Sequence, residues 1–200
     1  MRGGSAGAFH RAVRTEHANS AEPAIVRLSA PGLLAARREL ADLVCDAVEG
    51  GSSIGFLAPP DRTGITAWWE GLAPDVAAGG TAVWAARGGD GRIVGTVQLR
   101  RGGMPNGRHR AEIAKLIVRR DARGRGLGRA LLATAEREAA ASGVSLLVLD
   151  TQTGSPAERL YRSAGWTEAG TIPDYAADTE GVLRPTTLFH KRTGPRGGTG

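Results

Sequence analysis

Hydrophobic positions along this chain follow two periods, and the switches between them mark the elements. Ile25-Val26-Arg27-Leu28 reads as a short strand. From Pro31 onward, Leu33, Leu34, Arg37, Leu40, Ala41, Val44 and Val48 lie near the 3.6-residue spacing of a helix. Proline suits its first turn, and Gly50-Gly51 ends it. Arg62 to Ala78 reads as a second, shorter helical region carrying Trp68-Trp69. Thr81–Arg87 and Arg92–Arg100, joined by Gly88-Gly89-Asp90-Gly91, make a hairpin. The segment Gly102 to Gly107 turns the chain into an apolar run, Ile113-Ala114-Lys115-Leu116-Ile117-Val118. An alanine-rich helix over Leu127 to Ser142 comes next, with Gly143 expected as its C-cap, and then a strand over Leu146 to Asp150. Ser155-Pro156-Ala157-Glu158 is a capping box with proline at the first helical position, which puts Tyr161 about two turns into the helix. No internal repeat is visible. These elements predict an α+β domain: a mixed sheet with a helix packed across its centre.

Composition narrows the class. Two hundred residues with 41% hydrophobic content suffice for one core and point to one domain. No run approaches the ~20 apolar residues of a membrane span, and the N-terminus lacks the apolar stretch of a signal peptide. Cys45 stands alone inside a helical pattern and reads as a core thiol, not a nucleophile or metal ligand. Without a disulfide framework, the cytoplasm is the expected location. The net charge of +6 invites a nucleic-acid reading, but aromatic residues are few and no helix-turn-helix, RRM or zinc-finger spacing occurs. No nucleic acid, membrane or metal is therefore expected as a partner.

The basic residues concentrate where chemistry is most legible. Arg123-Gly124-Arg125-Gly126-Leu127-Gly128 lies between a strand and a helix, with Arg119, Arg120 and Arg129 close by. A glycine-rich turn before a helix exposes successive N–H groups to an anion, and glycine lets a phosphate approach the main chain. A pyrophosphate is the natural guest. A Walker loop is excluded, because Gly128 is followed by Arg129-Ala130 and not by Lys-Ser/Thr. A dinucleotide fingerprint fits Gly124-x-Gly126 and Asp150 at the end of the next strand, yet Arg129 occupies its third glycine position. Only 50 residues follow Asp150, too few for the remaining units of a doubly wound sheet. A merely structural, basic strand-to-helix turn remains a further alternative.

The pattern Arg/Gln-x-x-Gly-x-Gly/Ala is met in full by Arg123, Gly126 and Gly128, and it resembles the acetyl-CoA loop of the GNAT superfamily of N-acyltransferases. Ala111–Val118 resembles that superfamily's fourth strand and Leu146–Asp150 its fifth. Ser155 to Trp166 resembles the helix after that strand, with its tyrosine and Gly-aromatic exit. Arg110-Ala111-Glu112, Leu149-Asp150-Thr151, Gly154-Ser155, Ala157-Glu158, Tyr161, Ile172-Pro173-Asp174-Tyr175 and Gly181–Thr186 are similar to tabtoxin-resistance acetyltransferases in particular. The resemblance is strongest from Arg110 to Phe189 and weaker from Ala24. It implies a mixed, mostly antiparallel sheet with helices on both faces and a splayed central strand pair. It also implies one acetyltransferase domain over residues 23–193, a disordered extension over 1–22 and a flexible tail over 194–200.

The implied reaction is direct transfer of an acetyl group from acetyl-CoA to a primary amine, with no metal. The implied acceptor is small and amino-acid-like, a toxin or antibiotic amine included; a metabolite or a protein lysine is the alternative acceptor. By the resemblance, backbone N–H groups at Leu116, Ile117 and Val118 hold the thioester and pantetheine arm. Arg123, Gly124, Arg125, Gly126, Leu127, Gly128 and Arg129 hold the pyrophosphate, and Tyr161 protonates the leaving sulfur. Asp150 is the expected base, with Glu112 assisting or binding the amine; a solvated strand-end charge is the alternative for each. Trp84, Asp174 and Tyr175 are expected near the acceptor, though Trp84 equally suits the core of its strand, with Phe56 and Trp68-Trp69 supplying more of the acceptor wall. His109 reads as a surface residue and Glu158 as a structural cap. A non-catalytic acyl-CoA sensor and a dinucleotide-binding oxidoreductase are the other functional classes. A monomer or homodimer is expected.

Overall fold

The computed structural model describes residues 23–194, so the extension expected over 1–22 and nearly all of the tail expected over 194–200 lie outside it. Seven strands form one sheet: β1 (Ala24–Leu28), β2 (Thr81–Arg87), β3 (Ile93–Arg101), β4 (Arg110–Val118), β5 (Leu146–Gln152), β6 (Thr167–Ala177) and β7 (Leu183–Arg192). Their order in space is β1-β2-β3-β4-β5-β7-β6. Every neighbouring pair is antiparallel except β4 with β5.

Helices cover both faces. α1 (Ala30–Glu49), α2 (Arg62–Gly71) and α3 (Ala73–Ala78) lie on one side, and α4 (Leu127–Ala141) crosses the other. The sequence of β2 shows why. Ala82, Trp84 and Ala86 pack with Leu131 and Leu132 of α4, while Val83 and Ala85 pack with Leu40 and Val44 of α1. A strand buried on both faces has to be apolar at almost every position. α5 (Pro156–Ser163) comes after β5, and its Tyr161 joins Trp166 and Phe189 in the α4-side core.

Three readings change. The helical region over Arg62–Ala78 breaks at Leu72, because Pro74 cannot donate a hydrogen bond back to Glu70. Ser142 caps α4, and Gly143 is next with a φ of 79°, the left-handed residue just past the helix end. Cys45 is half-buried at the flank of the α1-side core, and burial together with the charges of Asp42 and Glu49 raises its thiol pKa.

Two departures from regular pairing shape β4. Its parallel ladder with β5 runs only over Arg110↔Leu146, Ala111↔Leu147 and Glu112↔Val148; beyond that the strands splay. Against β3, the register slips between Thr96↔Ile117 and Gln98↔Ala114, so Lys115 and Leu116 bulge opposite Val97. Lys115 takes a φ of 48° there, a left-handed conformation costly for a residue with a Cβ.

Candidate active site

Where β4 and β5 part, a cleft of about 900 Å³ opens. Four segments supply most of its wall: β4 from Glu112 onward, the loop into α4, the end of β5 running into α5, and the loop after α1; Arg100 of β3, Ala176 of β6 and Thr186 of β7 add to it.

At one end the chain builds a glycine-lined cradle at the N-terminus of α4. Gly124 and Gly126 take φ values of 77° and 80°, and Gly126 caps α4 without any side-chain hydrogen bond. Ala130 N–H donates to the Gly126 carbonyl at 3.0 Å, so helix geometry turns the N–H groups of Leu127, Gly128 and Arg129 toward the open helix end. A Cβ on Gly128 would stand 3.4 Å from Leu160 Cδ2 and 3.7 Å from Val118 Cγ2, so this glycine keeps the cradle shallow between two packed walls. Arg123 leans on the Val118 carbonyl at 3.0 Å, and Arg129 is fixed by Ser163 Oγ at 2.6 Å; both line the cleft. The other arginines differ. Arg120 binds Asp46 at 2.9 Å and Glu49 at 3.5 Å, tying α1 to the loop, and Arg119 pairs with Asp121 at 3.4 Å. Arg125 is exposed and outside the lining.

Tyr161, Asp150 and Glu112 line the same cleft beyond this cradle. Tyr161 is 6% exposed, its ring 6.0 Å from Trp166 and 6.2 Å from Phe189. Burial, with the nearby charge of Asp150 added, drives its pKa well above the ordinary phenol value, so the hydroxyl stays protonated. β5 runs two residues beyond its expected end at Asp150, which is exposed two residues past the last β4–β5 pair. Glu112 is partly exposed, with Arg100 Nη1 at 4.0 Å.

α5 holds the tyrosine in place through its start. Ser155 Oγ accepts the Glu158 N–H at 3.1 Å. The Glu158 carboxylate accepts from Gly154 N–H at 2.5 Å, Arg162 at 2.9 Å and Thr187 at 3.1 Å. Burial by itself would raise the Glu158 pKa, but these three donors outweigh it and hold the carboxyl below the usual range. Both of its oxygens are engaged by the fold.

Other expected residues fall elsewhere. Trp84 is buried under α4, and Trp69 is fully buried beneath α2. Asp174 and Tyr175 are exposed on β6, where Ala176 is the nearest cleft-lining neighbour. Both fall in the second bulge of β6 against β7, between Ile172↔Thr186 and Ala176↔Arg184, and neither lines the cleft. His109 is exposed just before β4. Phe56 and Trp68 do stand beside the cleft, and between them is a residue whose role the sequence left unread. Lys115 Nζ donates to the Ile54 carbonyl at 2.7 Å and lies 5.7 Å from the Phe56 ring and 5.5 Å from the Trp68 ring. Burial lowers its pKa and the charge of Arg100 lowers it further, against the pull of Asp150 and Glu112. A lysine inside an apolar strand of a chain with only two lysines, Lys115 and Lys191, was the available signal. Among the described residues, no cluster of His, Cys, Asp or Glu is arranged to hold a metal, and no helix is long and apolar enough to cross a membrane.

This fold is shared with solved structures. yncA from Salmonella typhimurium, solved with its cofactor acetyl-CoA, superposes with a TM-score of 0.71 at 20% identity, covering 90% of this chain and 99% of that one. A phosphinothricin acetyltransferase from Sinorhizobium meliloti, in complex with acetyl-CoA, gives 0.70 at 17% identity over 86% of this chain and 88% of its own. An uncharacterised N-acetyltransferase from the hisH-hisA intergenic region of Azospirillum brasilense is 34% identical over 135 residues, 63% of this chain and 77% of that protein. The sequence model of the acetyltransferase (GNAT) family matches residues 39–166, from within α1, across the splayed strands and the glycine loop, to the end of the tyrosine helix. The stretch that builds the cleft is thus the stretch that the family shares, and the chain belongs to the acetyltransferase (GNAT) family of enzymes.

Proposed function

We propose that this protein transfers the acetyl group of acetyl-CoA to the primary amine of a small, amino-acid-like acceptor. The observation that carries this is the single cleft with an anion cradle at one end and Tyr161, Asp150 and Glu112 at the other. Acetyl-CoA, which accompanies two proteins of the same fold, supplies an activated thioester and a pyrophosphate. The cradle suits the latter: helix N–H groups, Arg123 and Arg129 would hold it, and Gly128 gives it room. The bulge takes Lys115 and Leu116 out of the ladder with β3, and beyond Glu112 the other edge of β4 has no β5 partner, so N–H groups at Leu116, Ile117 and Val118 would hold the thioester arm along that open edge.

The acceptor amine arrives mostly protonated, since an unperturbed alkylamine has a pKa of ~10.4. Asp150 takes its proton, directly or through water, and Glu112 helps to hold the ammonium. A thiol has a pKa of ~8.5, below that of a phenol, so complete transfer of the Tyr161 proton to the sulfur is uphill. Tyr161 therefore acts first as a hydrogen-bond donor to the sulfur as charge develops there, with solvent restoring any proton it gives up. Resemblance to tabtoxin-resistance enzymes supports a toxin or antibiotic amine as acceptor through Asp150 and Tyr161, but not through Tyr175, which is exposed and outside the cleft lining. Residues 23–193 would form the whole catalytic unit.

The test is thiol release from acetyl-CoA with a library of amines. Tyr161→Phe should cost roughly 10²-fold or more in kcat with little change in acetyl-CoA affinity. Asp150→Asn should suppress turnover near neutrality and recover in part as pH rises and free amine accumulates. Full activity in Tyr161→Phe would remove the tyrosine from the chemistry. Acetylation of peptide lysines alone would overturn the acceptor.

A further inference from the structure

The acceptor end of the cleft carries charges of both signs. Glu112 and Asp150 are the carboxylates; Arg100 and Lys115 are the cations, and all four line the cleft. The cations are held by specific contacts. Arg100 Nε donates at 3.0 Å to the Oε1 of Gln98, a side chain with no exposure whose Nε2 has no partner among the described residues. Its guanidinium stands 6.0 Å from the Trp68 ring, the same indole that lies 5.5 Å from Lys115 Nζ. Lys115 reaches that position from a strand bulge at a φ of 48°, where a glycine would be easier. Two cations gathered on one aromatic ring repel each other, and the fold spends strain and a buried amide to keep them there.

Resting on the acetyl-transfer reading above, we propose that Arg100 and Lys115 form an anion subsite for the carboxylate of an α-amino acid whose amine is held by Asp150 and Glu112. The electrostatics fit a zwitterion. An acceptor ammonium neutralises the carboxylates that now offset the two cations, so an acceptor with its own carboxylate restores the balance. A simple amine leaves Arg100 and Lys115 uncompensated. The side chain of a protein lysine, whose own carboxyl group is an amide, does the same.

The test compares each L-amino acid with its decarboxylated amine: phenylalanine with phenethylamine, leucine with isoamylamine, tyrosine with tyramine. The wild-type enzyme should favour the amino acid in kcat/KM by at least about tenfold, the scale of one hydrogen bond to a charged group. Lys115→Met should lower that selectivity ratio roughly 10- to 100-fold, with Lys115→Arg retaining part of it and Arg100→Met shifting it in the same direction. An intact thermal shift with acetyl-CoA shows that each variant is folded. A wild-type ratio at or below one, or a ratio unchanged in Lys115→Met, overturns the subsite and leaves Lys115 as a pin for the Ile54 carbonyl. A second arm needs no turnover. Trinitrobenzenesulfonate labels lysines, and mass spectrometry separates Lys115 from Lys191. N-acetyl-L-phenylalanine should slow labelling of Lys115 but not of Lys191, whereas N-acetylphenethylamine should slow neither. Equal labelling of Lys115 under both overturns the subsite even if the enzyme proves to acetylate something else. Protection of Lys115 without acetylation of any amine sustains the anion site and faults the acetyl-transfer reading instead.

Discussion

Glu158→Ala measures how firmly the tyrosine helix is anchored. The side chain is 9% exposed and accepts from Gly154 N–H, Arg162 and Thr187. Arg162 is half exposed and keeps Glu168 at 2.7 Å, so no lone buried charge is left and this limb is worth only ~0–1 kcal/mol. Losing the reach back to Gly154 removes a cap interaction worth ~1 kcal/mol. Thr187 is fully buried, and although Thr153 Oγ1 stands 2.8 Å away, a donor short of its acceptor costs ~1 kcal/mol or more. The sum is about 2–3 kcal/mol, or a fall in Tm of roughly 5–10 °C for a chain of this size. The pH dependence has a definite sign. The folded Glu158 pKa lies below its unfolded value of ~4.3, so the stabilisation is fully present above that value and fades as pH falls through the folded one. Thermal unfolding followed by circular dichroism should show a constant gap between wild type and variant from neutrality to about pH 5, narrowing below about pH 4. A neutral-pH gap under about 1 °C, or one that widens in acid, would refute the reasoning. Lost turnover in a variant of undiminished Tm would move Glu158 into the chemistry.

Acetyl-CoA at about 100 times its dissociation constant should add ~2.7 kcal/mol to stability and raise Tm, while NAD should leave it unchanged; the reverse would favour a dinucleotide site. Gly128→Ala should fold normally, because its Cβ meets Leu160 at an ordinary 3.4 Å, yet weaken acetyl-CoA measurably in calorimetry. Unchanged affinity there would show that phosphate does not approach this glycine. Gly126→Ala confounds the two effects, since a side chain at φ 80° costs ~1–2 kcal/mol of stability besides.

Legibility in the sequence tracked how one-sided each element's surroundings are. α1 and the hairpin β2–β3 were readable because each has a dense buried pattern. The glycine loop and capping box were readable because only a few residue types perform those local tasks. β6 left no trace: its eleven residues are almost all exposed, include Gly170 and Pro173, and are bulged twice against β7. An edge strand with no buried face has nothing to impose an apolar alternation. The cleft residues Tyr161, Asp150 and Glu112 were found through motif spacing, whereas Arg100 and Lys115 were not. Their meeting depends on a strand bulge and on the loop at Ile54, contacts 61 residues apart that no local pattern encodes.

Three paired residues are all that join β4 to β5, so the sheet is really two ladders sharing a short seam. β1 to β4 form one ladder, and β5, β7 and β6 the other, the latter drawn wholly from the chain after Gly143, with the α4-side core packed against both. Such units open separately in native-state hydrogen exchange when little holds them together. A ligand wedged in the cleft touches both, with the glycine loop and β4 on one side and Tyr161 on the other. It takes the place of the missing ladder, so filling the cleft couples the exchange of amides across the whole sheet, those on the far strand β6 included.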